Sequence, residues 1–322
     1  MLVSYNHLIH DQRSQIYALM SNGLSQKDIA AHLRVHPSTI SRELKRNTGG
    51  NGYRFGQADR LAQERRHAAS SVPKSMTPQV IKIIEEKLKE KWSPEQISGR
   101  LKLESDINIS HESIYKHIWA DKHQGGTLYM HLRHAGKKYN KRSSGKAGRG
   151  CIPNRTDIKE RPAIVEEKLR LGDWEGDTII GANQKGAILS MVDRGSKLTL
   201  LAKLKDKCAV GVVVATKACF DRLAEPIVHT ITYDNGKEFS SHEQISESLD
   251  AQCYFATPYH SWERGLNEHT NGLVRQYLPK GTEFSSVSAR AIQKIEDALN
   301  DRPRKVLAYL TPREVYQHVA QA

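Results

Sequence analysis

From about residue 160 onward, short strand-like runs alternate with helical ones in an order that few folds accommodate. Strand patterns lie at Thr178 to Ile180, Ala187 to Val192, Leu198 to Leu204, Thr230 to Tyr233 and Gln252 to Ala256, with helical periodicity at 206 to 222 and 286 to 299. Three early strands on short links, then helix, strand, helix, strand and further helices, predict a mixed α/β layer rather than a uniformly parallel wound sheet. Thr311-Pro312-Arg313-Glu314 is a capping signature that opens a terminal helix.

The first half has another texture. Ile16, Leu19 and Met20 precede SNGLSQ, and Ser25 with Asp28 has capping-box spacing, so a helix begins near Gln26. Pro37 opens the next helix, where its missing N–H costs nothing. This reads as a helix-turn-helix, followed by the glycine-rich break TGGNGY and a basic connecting stretch. A second such unit begins at Thr77-Pro78, with Val80, Ile84 and Leu88 in line through Lys91. Ser93-Pro94-Glu95-Gln96 caps its next helix, where Ile97 and Leu101 face a core. A further helix from Ser110 presents Ile114, Ile118 and Trp119. The expected divisions are 1–60 and 61–132 for two all-α helix-turn-helix units, 133–160 for a flexible basic linker and 161–322 for the α/β domain.

Charge follows the same division. Of 49 basic and 36 acidic side chains in 322 residues, residues 1–160 hold 28 and 15, whereas 161–322 hold 21 of each, so the excess of +13 lies entirely in front. Eight basic residues and no acidic one lie between Arg133 and Arg155. Such asymmetry fits a front half that meets a polyanion and a back half with another task. Cys151, Cys208, Cys219 and Cys253 show no CxxC spacing, and no apolar run approaches the roughly 20 residues needed to cross a bilayer. The expectation is a cytoplasmic protein with no membrane partner, and the collagen-like and disordered classes are excluded.

In a helix-turn-helix the second helix enters the major groove of double-stranded DNA, its exposed side chains reaching base edges while flanking cations hold phosphates. In the first unit, Ser38, Thr39 and Arg42 are candidates for bases, and Lys45 and Arg46 for phosphate. In the second, Ser110, His111, Ser113 and Lys116 occupy the reading helix. Lys137, Lys138, Lys141 and Arg142 of the linker would set affinity and its salt dependence.

Three carboxylates in the back half stand where a metal-dependent phosphoryl-transfer site can be built. Asp177 enters the first strand from GDWEGD, Asp234 ends a strand, and Glu268 lies in the helical run SWERGLNEHTNGLVRQYL. Two magnesium ions about 4 Å apart need several carboxylates to bridge and flank them. Competitors are near: Asp173, Glu175 and Asp193 surround the first candidate, Glu238 and Glu263 the others. Asp173 and Asp177 share a strand face, so periodicity does not choose between them. On a helix Glu268 shares a face with Arg275, as does Arg264 with Asn271.

The chain resembles bacterial transposases of the DDE superfamily, specifically insertion sequence family thirty. The likeness is carried by STISREL and KRN, WSPEQISGRL and SIYKHIW, then GDWEGDTIIG, TYDNGKEF, PYHSWERG, NEHTNGLVRQYLPKG and LNDRPRKVLAYLTPREV. It implies a ribonuclease-H-like core with a five-stranded mixed sheet. It also implies an acidic triad of Asp177, Asp234 and Glu268 holding two magnesium or manganese ions, and Arg275 as the catalytic basic residue. Asn235, Trp262 and Asn271 stand in family-like surroundings, the two asparagines placed to position DNA or neighbouring groups. His269 stands where asparagine is commoner, and Ala308 replaces a glycine. Such enzymes bind terminal inverted repeats, hydrolyse the phosphodiester at an element end and join the freed 3'-hydroxyl to target DNA, which calls for a homo-oligomer assembled on DNA. A non-enzymatic helix-turn-helix regulator and a nuclease without strand transfer are the rival readings.

Overall fold

The computed structural model describes residues 7–71, 76–133, 152–258 and 260–321. It divides into two compact units, Met1–Thr77 and Pro78–Ala322.

The first unit holds α1 (His10–Ser21), α2 (Gln26–His32), α3 (Pro37–Asn47), a small hairpin of β1 (Thr48–Gly49) and β2 (Gly52–Tyr53), and α4 (Phe55–Ser71). The helix starts follow local chemistry: Ser25 Oγ accepts from Asp28 N, and Pro37 is the first residue of α3. Ile16, Ile29, Ala30, Ile40 and Ala58 form the core. Arg13 lies buried among them, donating to Glu43 (2.8 Å) on α3 and Asp59 (3.0 Å) on α4. That cross-tie, with Phe55 set against the His10 and Tyr17 rings, holds a helix whose own sequence offers little apolar surface. The stretch expected as a connector is therefore α4, and the boundary expected at 60/61 falls inside it.

The second unit opens with α5 (Pro78–Lys89), α6 (Pro94–Ser105) and α7 (His111–His123). Ser93 and Gln96 form the reciprocal cap, and Ser110 caps α7. Val80, Ile84, Leu88, Ile97, Leu101, Ile114 and Ile118 are buried as expected, but Trp119 is 44% exposed. One residue past Ile118 is about 100° further around the helix and leaves the core. These helices are not a separate body, contrary to the expected domain at 61–132. Arg100 makes a two-pronged ion pair with Glu314 (2.8 and 2.6 Å), Arg302 donates to Gln96 (2.9 Å), and Lys305 pairs with Glu95 (2.6 Å). The complement lies some 200 residues away in sequence, beyond the reach of any local pattern.

The remaining elements are α8 (Ile164–Glu167), β3 (Asp173–Ile180), β4 (Ala187–Asp193), β5 (Thr199–Leu204), α9 (Ala209–Phe220), β6 (Thr230–Tyr233), α10 (His242–Leu249), β7 (Gln252–Phe255), α11 (Gly265–Tyr277), α12 (Ala289–Asn300) and α13 (Pro312–Ala320). The five strands lie in the order β5-β4-β3-β6-β7, antiparallel on the β5 side and parallel from β3 to β7. Both faces are covered. Leu189, Met191, Leu200 and Ile231 pack toward Val212, Phe220 and Phe239, while Ile179, Ile188 and Leu201 pack toward Leu273, Val274, Ile292 and Leu299.

Strand β3 begins five residues before the expected Thr178, because its first residues bury Asp173 and Glu175 against arginines instead of alternating with solvent. The basic linker is shorter than 133–160: Phe255 N donates to Thr156 O, so residues near 156 lie along the edge of β7. Lys137, Lys138, Lys141 and Arg142 lie outside the described residues. Among the described residues no helix is long and apolar enough to cross a membrane.

Candidate active site

Strands β3 and β6 run parallel with Asp173 beside Thr230, Trp174 beside Ile231 and Glu175 beside Thr232. Two residues further, the same register carries Asp177 to the level of Asp234. Gly176 permits the approach: a Cβ there would stand 2.3 Å from the Tyr233 ring. Asp173 is four residues away at the other end, where Arg170 (2.7 Å) and Thr230 (2.8 Å) occupy it. Register thus separates two aspartates that strand periodicity leaves equivalent.

Arg264 lies against both remaining aspartates, Nη1 at 3.7 Å from Asp177 and Nη2 at 3.6 Å from Asp234. Asp177 Oδ1 accepts from Thr178 N (2.8 Å), and Oδ2 from Asn271 Nδ2 (2.9 Å). Ser190 Oγ donates to Asn271 Oδ1 (2.9 Å), which fixes the amide's orientation. Asp234 Oδ1 accepts from Gly236 N (2.9 Å). Burial pushes the Asp177 carboxyl up to about 6, against the pull of Arg264, with Asp234 and Glu238 adding repulsion.

Glu268 is exposed on α11, four residues after Arg264 and three before Asn271, and so shares their flank of the helix. Asp177 and Asp234 are brought together. Glu268 remains on the adjoining helix, and among the described residues no three His, Cys, Asp or Glu side chains are grouped closely enough to hold a metal ion. The donor chemistry nevertheless fits a hard divalent cation: the side chains available are carboxylates, and two of them already share one positive charge. Arg264 is held by charge rather than geometry, since its buried Nε and Nη1 make no hydrogen bond among the described residues.

Other carboxylates near the site have structural partners. Glu175 pairs with Arg194 (2.7 Å), Asp193 accepts from Gly172 N and Ser196, and Glu263 accepts from Thr257 N. Glu238 accepts from Thr178 Oγ1 (2.8 Å) and pairs with Lys207 (2.6 Å). Arg275 donates to Ile180 O (2.6 Å) and lies over the Phe284 ring, three residues along β3 from Asp177. Asn235 donates to Ala256 O (2.7 Å) and accepts from Arg155, so it braces strand ends. Trp262 is 70% exposed and stacks on His260. Ser190 was not legible as a site residue, and Glu238 was legible only as a competing carboxylate. Only the i, i+7 spacing of Arg264 and Asn271 hinted at a shared face.

In the first unit Lys45 and Arg46 are exposed on α3. Arg42 folds back onto Ser38, donating to its carbonyl (2.9 Å) and hydroxyl (2.8 Å), while Thr39 is half-buried. Arg65 and Arg66 of α4 line a groove with Thr39, Arg42 and Arg46, a cationic contribution hidden while α4 reads as a connector. On α7, Ser110 and Ser113 are occupied with capping, His111 meets the Tyr115 ring edge-on, and Lys116 is exposed.

Residues 4–47 match a helix-turn-helix domain family, and residues 170–261 match an integrase core domain family, a span that includes Asp177 and Asp234 and ends before Glu268. The chain is 48% identical over 316 residues to the transposase for insertion sequence element IS4351 of Bacteroides fragilis, covering 97% of this chain and 96% of that protein. It is 37% identical over 325 residues to the transposase for IS1086 of Cupriavidus metallidurans, covering 98% and 95%. It is 34% identical over 320 residues to transposase InsI for IS30A of Escherichia coli, covering 97% and 83%. A helix-turn-helix unit, a mixed five-stranded sheet carrying paired aspartates, and likeness along nearly the whole length agree: the chain belongs to the IS30 family of insertion sequence transposases.

Proposed function

We propose that this transposase binds the terminal inverted repeats of its element and catalyses metal-dependent DNA cleavage and strand transfer at Asp177, Asp234 and Glu268. The observation that supports this most is the pairing of Asp177 with Asp234 on neighbouring parallel strands around one guanidinium. Magnesium or manganese, two ions expected, would supply activation of the attacking water or 3'-hydroxyl and stabilisation of the leaving oxygen. Asn271 orients the Asp177 carboxylate, and Arg264 offsets the repulsion between the aspartates. Glu268 completes the ligand set from α11, and Arg275 offers a cation to the DNA phosphates at the end of β3. Asn235 keeps the segment after Asp234 in place.

In the front unit Ser38, Thr39 and Arg42 read the repeat, with Lys45 and Arg46 on phosphate. Ser110, His111, Ser113 and Lys116, with Lys137, Lys138, Lys141 and Arg142, extend the contact along double-stranded DNA. Joining two ends to a target requires at least two protomers on DNA, and the work is done at the bacterial nucleoid in the cytoplasm.

The test is full-length protein with magnesium and a labelled terminal-repeat duplex. Wild type should cleave and transfer a strand, while Asp234→Asn and Glu268→Gln should bind the duplex normally and fail at both steps. Undiminished chemistry in either variant refutes the assigned triad. Cleavage without transfer would make the protein a nuclease, and binding without cleavage a regulator.

A further inference from the structure

The flank of α7 carrying Tyr115, Trp119 and Lys122, spaced four and three residues apart, lines a cavity of about 540 Å³. Segment 302–306 and α11 provide other walls. Trp119 and Tyr115 are 44% and 37% exposed, large rings left uncovered where the helix has a core to offer them. Lys122 Nζ lies 4.5 Å from the Tyr129 ring and 5.3 Å from that of Trp119.

The same cavity is lined by Arg133, Arg302 and Arg304. Arg302 and Arg304 are buried, and none of the three has a carboxylate partner among the described residues. Arg302 donates to the neutral Gln96 (2.9 Å) and Gln276 (2.8 Å), and Arg304 to Leu299 O (2.9 Å), leaving its buried Nε without a partner. Glu95 at the edge is taken by Lys305. Burial, together with the neighbouring guanidiniums, draws Arg304 down to about 10, so both arginines still carry charge at neutral pH. Charges buried side by side without a counter-ion are costly to keep unless an anion joins them. Rings and cations in one concavity, without carboxylates, are the chemistry of a stacking platform for a nucleic acid strand. Bases inside a duplex cannot reach such rings.

We propose that this cavity receives an unpaired stretch of a DNA strand, its phosphates on Arg133, Arg302 and Arg304 and a base against Trp119 and Tyr115. The volume lies within the roughly 300–1,000 Å³ of sites for small organic ligands, enough for a nucleotide and too small for a duplex. The site gives a use to Arg302 and Arg304 of LNDRPRKVL, which the paired aspartates do not engage. Only the identity of the polyanion rests on the DNA-processing reading above.

The experiment compares full-length protein binding to a blunt duplex and to the same duplex with an unpaired tail. Wild type should prefer the tailed DNA by about tenfold, the weight of one stacked base. Trp119→Ala should erase that preference while leaving blunt-duplex affinity unchanged. Arg133→Ala should lower the salt slope of tail binding by about 0.7, the weight of one lost phosphate contact. Trp119 and Arg133 are exposed side chains, so the fold is not at stake. Equal affinity for blunt and tailed DNA, or a tail preference that survives Trp119→Ala, overturns the proposal alone. A wild type that binds neither DNA overturns the DNA-processing reading itself.

Discussion

Gly99 is a point of close approach between α6 and the C-terminal segment, and an alanine there should weaken their contact. A Cβ at this position would stand 2.2 to 2.3 Å from Cδ1, Cε1 and Cγ of Tyr309. Ordinary carbon contacts begin near 3.5 Å, so the ring must shift by more than about 1 Å. Its backbone resists: Ala308 and Tyr309 hold left-handed conformations at φ 51 and 66. Tyr309 N donates to Arg304 O (2.9 Å), and Tyr309 O accepts from Arg100 (3.2 Å). Overpacking of this kind costs about 1–3 kcal/mol. For a unit the size of Pro78–Ala322 that is a fall in melting temperature of about 2–4 °C per kcal/mol, readable by calorimetry. Tyr309→Ala removes the obstruction, so in the double variant Gly99→Ala should cost almost nothing, a coupling of about the same 1–3 kcal/mol. A Gly99→Ala protein that melts within about 1 °C of wild type, or a cycle with no coupling, would refute this account of how the second helical unit is held.

Two further perturbations test the same unit. The Arg100 hydrogen bonds hold the Glu314 carboxyl down at about 2, so the folded state binds this proton less readily than the unfolded one. The contribution is complete above the ordinary glutamate range and is lost as pH falls from there through about 2. Urea unfolding should show stability falling across that window, less steeply in Glu314→Gln, and identical slopes would contradict the assignment. Asn271→Ala should lower strand cleavage about 10–100-fold, the usual loss when the group orienting a metal ligand is removed, with DNA affinity intact. Weakened DNA binding with normal turnover of bound DNA would make Asn271 a DNA contact instead.

What the sequence disclosed was whatever has a local cause. Starts at Gln26, Pro37, Pro94 and Pro312 were legible because the cap and the proline stand beside the helix they open. Helix α4 was not, because its anchor is Asp59 on Arg13, 46 residues away. Strand β3 was read short because its acidic beginning is buried against Arg170 and Arg194, which removes the alternation that marks a strand. The choice between Asp173 and Asp177 required the β3–β6 register. Spacing placed Arg264 on one face with Asn271, but not between the aspartates: it sits in a short 3₁₀ turn before α11, and only folding brings it between two carboxylates from distant strands.

Helix α11 also revises the meaning of the charge balance in the back half. Arg264 at its start and Asn271 face the paired aspartates, and Glu268 shares their flank. His269 and Leu273 line the arginine-rich cavity. Glu268 and His269 are adjacent in sequence yet about 100° apart around the axis, so one helix divides an acidic site from a cationic one. Burial first, and then the nearby Arg133, Arg304 and Arg302, pull the His269 imidazole below its ordinary range. Twenty-one charges of each sign in 161–322 therefore do not describe a neutral surface. They average over two opposed local fields about one helix diameter apart, roughly 10 Å. A strand whose phosphates rest on the arginines would need to pass only that distance to bring a nearby phosphodiester to the carboxylates.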